Sequence, residues 1–150
     1  MKFKCTAEKS LFLTRVLTGA MLLIAAGGLF LVPAVVRWHT ALSGHLYKNK
    51  VLSFCLYVSL LLCIAALCIL LRLLSRIAKK KVFVAENARC LRLISWCCFL
   101  LAAIWLFLGI FRRIAFCIGF AFAFAGLVVR VMKNLFEISI ELREEHDYTI

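Results

Sequence analysis

The chain has 150 residues, 65% of them hydrophobic and 17% charged, with mean hydropathy +1.03, seven Gly, one Pro and a formal net charge of +12. A soluble domain averages roughly 45–50% apolar and about 25% charged residues, so an ordinary soluble domain, a disordered tail and a collagen-like rod are all excluded. What remains is an integral membrane protein.

A helix rising ~1.5 Å per residue needs about 20 apolar residues to cross ~30 Å of hydrocarbon. Four uncharged runs approach that length, and each must be helical because unpaired backbone amides in lipid cost several kcal/mol. The first runs from Val16 to Val36, between Arg15 and Arg37. Lys2, Lys4, Lys9 and Arg15 precede it as in a secretory signal, but it exceeds the ~7–15 residues of a signal core. It is expected to stay, with Pro33 kinking rather than abolishing its last turn. The second runs from Val51 to Leu71.

The third run spans Leu93 to Phe111, and the fourth Ile114 to about Met132, with Arg130 reaching back to the headgroups. One helix through both would far exceed any bilayer. The sequence therefore predicts a tight hairpin, with Gly109 in a left-handed conformation ending the third helix and Ile110 to Arg113 forming the turn. Alternation over Gly119 to Ala125 imitates a strand, but inside so long an apolar run helix prevails.

The expected fold is all-α: a polytopic membrane protein forming one membrane domain, with four transmembrane helices at about 16–36, 51–71, 93–111 and 114–132 in an antiparallel bundle. Orientation follows the Lys and Arg balance. The two ends and the middle connection together carry fourteen of these residues, against five in the outer loop and the hairpin. Both termini are thereby expected in the cytoplasm and the protein in the inner, cytoplasmic membrane. Trp38 and Tyr47 fit the interfacial aromatic belt.

The charge of +12 tempts toward nucleic acid. The same residues are accounted for by inner-leaflet retention and by contact with membrane lipids, no zinc-finger spacing is present, and no direct nucleic-acid binding is expected. Of eight cysteines, Cys55, Cys63, Cys68, Cys97, Cys98 and Cys117 lie in apolar runs and act as small hydrophobes. Cys5 and Cys90 face a reducing compartment. His39 and His45 have no Cys, Asp or Glu beside them, so neither a metal nor any other cofactor is expected.

Catalysis needs a nucleophile with an oriented base. Thr18, Ser53, Ser59 and Ser95 have no intramembrane His or carboxylate to activate them, so their expected role is hydrogen bonding along or between helices, and no enzyme is expected. A proton-coupled pump is disfavoured because all seven acidic residues fall outside the four runs. A passive pore stays open. Gly19, Ala20, Ala25, Ala26, Gly27 and Gly28, and Gly119, Ala123 and Gly126, are expected inside the bundle or at a homo-oligomer contact.

Two polar segments carry more individuality. Before the third span, Leu91 and Ile94 can face the bundle while Arg89 and Arg92 point to headgroups, with Asn87 as the helix cap and Glu86 beside the positive helix end. After the fourth span, Lys133 and Glu137 lie one turn apart, and from Glu137 onward five acidic residues and one arginine leave −4.

Phe83-Val84-Ala85-Glu86-Asn87-Ala88-Arg89-Cys90-Leu91-Arg92, with Glu141 to Ile150 as the chain end, resembles the family of unknown function DUF2975, small bacterial membrane proteins. The family's tail usually reads Leu-x-x-Glu-x-Asp-Leu-Thr-Ile or Val. Leu142, Glu145, Asp147, Thr149 and Ile150 match it, while His146 and Tyr148 depart from the common Asn and Leu. The resemblance implies no established biochemical activity, and frequent encoding beside a short helix-turn-helix regulator of the Cro and C1 type.

The resulting expectation is the membrane half of a regulatory pair that binds or sequesters such a regulator. Its candidate partner-binding residues are Glu141, Leu142, Glu144, Glu145, Asp147, Thr149 and Ile150, and its candidate loop motif is Phe83, Glu86, Asn87, Arg89, Leu91 and Arg92. The acidic tail can attract the regulator's basic DNA-reading face, or fold back on the loop from Arg72 to Arg92, which carries +6 net of Glu86. The alternative function is a small channel or transport subunit.

Overall fold

A computed structural model describes residues 2–43, 46–79, 85–110 and 113–148, with the side chains of 2–9, 39–43, 46–49, 144 and 146–148 outside that description. The chain is all-α: α1 (Lys2–Ser43), α2 (Leu46–Ala78), α3 (Ala85–Gly109) and α4 (Arg113–Tyr148). All four are long and apolar enough to cross a membrane, which makes this a multi-pass membrane protein. Large apolar side chains stand exposed along every helix, Phe30 at 87% and Ile114 at 80% among them. In water such a surface would drive aggregation; in lipid it is the expected outer face.

Each helix overruns its apolar run, because the flanking charged residues are themselves good helix formers. α1 continues through Pro33 to Ser43, and one turn later Arg37 Nε donates to the Pro33 carbonyl at 3.3 Å. Hydroxyls inside the runs also bond back along their own helices, Thr18 to the Thr14 carbonyl at 2.7 Å and Ser59 to the Leu56 carbonyl at 3.0 Å.

Successive helices pack as adjacent antiparallel pairs, α1 on α2, α2 on α3 and α3 on α4, the last contact being the most extensive. Among the described residues α1 and α4 have no backbone contact. On α3 the buried positions are Asn87, Ala88, Ile94, Ser95, Leu101, Ala102 and Leu108. They recur every seven residues, the repeat of a helix seam whose side chains fit into the holes of a partner. On α4, Ala115, Gly119 and Gly126 are buried, so small residues let the two backbones close up.

Two local expectations change. Gly109 does end α3, and the Ile110 amide donates to the Phe107 carbonyl at 3.3 Å. Gly109 is not left-handed, however; a side chain there would meet the Phe116 Cα and Cβ at 3.0 Å, so closeness of α4 is what requires glycine. Arg113 already belongs to α4 rather than to the turn. On α1, nothing lies within 4 Å of a Cβ at Gly19 or Gly27, while one at Gly28 would lie 3.4 Å from Leu60 of α2.

Candidate functional site

The charged residues singled out in the sequence converge where α2 ends, α3 begins and α4 leaves its apolar run. The Lys79 amide donates to the Arg76 carbonyl at 3.1 Å, closing α2 with a turn. Arg76 then reaches across to Glu86 in the first turn of α3, with Nη1 and Oε2 2.5 Å apart. Glu86, expected only to complement the positive end of its own helix, thus also ties the two helices together.

Asn87 is not the cap expected of it. α3 begins at Ala85, which puts Asn87 inside the first turn with no exposed surface at all. Leu91 and Ile94 turn inward while Arg89 and Arg92 are exposed, as the apolar spacing predicts.

The second tie joins α3 to the beginning of the tail. Glu137 accepts from Lys133 at 2.6 Å, one helical turn before it, and from Arg92 Nη2 at 3.3 Å. Lys133, through its hydrogen bond and its charge, holds the Glu137 carboxyl below the usual carboxylate range against the opposing effect of desolvation, and Arg92 adds to the lowering. Just below, the buried Ser95 hydroxyl donates to the Gly126 carbonyl at 3.0 Å, an inter-helix bond at a position where glycine exposes its backbone.

The tail itself is helical as far as Tyr148. Its inner part lies against α3, where Ala88, Arg89, Arg92, Glu137, Ile140 and Glu141 line a cleft of about 360 Å³. Glu141, Leu142, Arg143 and Glu145 are exposed. Of the tail and loop residues named from the sequence, Phe83, Thr149 and Ile150 lie outside the described residues, as do the side chains of Glu144 and Asp147. The two outer-loop histidines, the Tyr47 side chain and the Cys5 thiol are also outside them.

The sequence assigns Arg92 and Arg130 to headgroups and Lys133 to a place one turn from Glu137, without showing that the hairpin brings the three together. A signal was present. Gly109 faces Phe116, Gly119 faces Leu106 and Gly126 faces Phe99, all in one antiparallel register that sets Arg92 level with Lys133. The register could be drawn once the turn was placed near residue 111.

Residues 28–150 match the model of a family described as a protein of unknown function, DUF2975. The chain belongs to the DUF2975 family. The matched segment takes in the whole charged end just described and leaves out residues 1–27, more than the first half of α1, so DUF2975 membership rests on the part that carries the ion pairs. No curated protein and no solved structure matches the chain.

Proposed function

We propose that this DUF2975 protein is the membrane-held half of a regulatory pair, residing in a bacterial cytoplasmic membrane with both termini in the cytoplasm, and that its tail binds a small helix-turn-helix regulator. The single observation that carries this reading is the continuation of α4 from Lys133 to Tyr148, roughly 24 Å of helix beyond the apolar run at ~1.5 Å per residue. That extension presents Glu141 and Glu145 one turn apart on an exposed surface, with Leu142 57% exposed beside them. A rigid acidic helix with an apolar contact is a suitable surface for the basic face of a DNA-reading domain, and charge attraction would speed the encounter.

The division of labour within the tail supports the same reading. Glu137 is engaged by Lys133 and Arg92 and anchors the base of the tail to α3, while the segment from Glu141 onward projects beyond it. Folding back and presenting outward therefore need not exclude each other. The role is non-catalytic: the chain supplies position and charge. The competing reading, a small channel or transport subunit, has in its favour an apolar pocket of about 320 Å³ bordered by Val32, Leu60, Cys63, Leu101, Trp105 and Phe122.

A pull-down of the regulator encoded beside the gene, using the full-length protein and a chain ending at Ile140, tests the proposal. Recovery should fall with the truncation; equal recovery removes the tail from any such role. A solute flux through liposomes holding the purified protein would favour the transport reading instead.

A further inference from the structure

One concave feature of the charged end shares Arg92 and Lys133 with the Glu137 ion pairs but lies outside the proposed tail surface. Arg92, Ser95 and Trp96 of α3 and Arg130 and Lys133 of α4 enclose a pocket of about 270 Å³. Three cations thus border one small space. Glu137 offsets only part of that charge, because it meets Lys133 and Arg92, and among the described residues Arg130 has no carboxylate within ion-pair distance. The Lys133 side chain is only 17% exposed, so its ammonium is held in place rather than dispersed in solvent.

Depth in the membrane follows from the sequence. Arg130 ends the uncharged run that starts at Ile114, and Trp96 lies at the start of the run from Leu93 to Phe111. Both therefore sit at the boundary between hydrocarbon and headgroups, where tryptophan is favoured and where phosphate groups are concentrated. The Ser95 bond to the Gly126 carbonyl fixes the spacing of the two walls at this level.

We propose that Arg92, Arg130 and Lys133, with Trp96 beside them, form a binding site for an anionic phosphate group between α3 and α4. Guanidinium groups can meet phosphate oxygens in pairs, and an ammonium supplies a point charge. The group can be a lipid phosphodiester or a soluble phosphate; the chemistry recognised is the same. Because Glu137 shares Lys133 and Arg92 with this space, a bound phosphate competes with the anchor at the base of the tail.

The test uses the full chain in phosphatidylcholine nanodiscs, with and without phosphatidylglycerol, and counts retained lipid by native mass spectrometry, with inorganic phosphate titrated as a separate arm. Phosphatidylglycerol should be retained over phosphatidylcholine, or inorganic phosphate should bind, and R130Q/K133Q should weaken whichever binds by at least roughly tenfold. E137Q should strengthen it. Retention of phosphatidylglycerol that inorganic phosphate does not displace assigns a lipid; binding of phosphate without preference among lipids assigns a soluble anion. If R130Q/K133Q leaves both unchanged, or if that variant does not fold and E137Q gives no increase, the site is overturned.

Discussion

At the scale of single residues, the contact between α3 and α4 depends on side chains that are absent. A Cβ at position 119 would stand 2.8 Å from the Leu106 backbone nitrogen, a position that cannot yield without moving the helix. G119A should therefore cost about 1–3 kcal/mol, the usual penalty for overpacking. G27A, where nothing lies within 4 Å, should be neutral in the monomer. Thermal unfolding in detergent compares the two, and equal midpoints would contradict the helix spacing. Glu137 makes a second prediction at this scale. Its carboxyl pKa is lowered in the folded protein by Lys133 first and Arg92 after it. A lowered pKa means stabilisation that is fully present above the unfolded value, about 4.3 for glutamate, and is lost as pH falls through the folded value. Melting curves from about pH 7 down to about pH 3.5 should show an acid loss that E137Q reduces. A variant with an unchanged acid profile would remove Glu137 from the anchor.

Among elements, the hairpin of α3 and α4 is the most firmly specified part. Ser95 is 4% exposed and donates a hydrogen bond to the Gly126 carbonyl across the seam. S95A should cost about 0.5–2 kcal/mol, in the range of inter-helix hydrogen bonds in lipid, whereas S139A, which removes only an exposed bond to the Leu135 carbonyl of its own helix, should change little. The presence and order of the four helices were legible in the uncharged runs, since length and hydropathy alone decide whether a segment can cross lipid. Helix ends were not. Ala85 and Arg113 begin their helices earlier than capping and turn chemistry suggested, because boundaries depend on the contacts made by the flanks, such as Arg76 with Glu86. The glycines show a related limit. Gly119 and Gly126 are buried while Gly19 and Gly27 are open, and no local feature of the sequence separates the two sets before helix pairing is known. The candidate site was legible in part: its charged residues were evident, but the joining of Arg92 to Glu137 is a contact between distant segments that only the hairpin register reveals.

For the whole molecule, the packing of α1 on α2 and of α4 on α3 leaves each of these two helices with one neighbour in backbone contact among the described residues, and with a broad apolar face. The end that gathers Arg76, Glu86, Arg92, Lys133 and Glu137 holds the end of α2, the start of α3 and the emerging tail on one side of the membrane. The proposed topology, with an even number of crossings, puts the beginning of α1 on that side as well. Function as a tether for a soluble regulator requires that side to be the cytoplasm, as the basic residues predict. Paired fusions of alkaline phosphatase and a fluorescent protein at the two termini, at residue 44 and at residue 82 test this most directly. Fluorescence without phosphatase activity should mark both termini and residue 82, with phosphatase activity alone at residue 44; termini reporting from opposite sides would contradict the account.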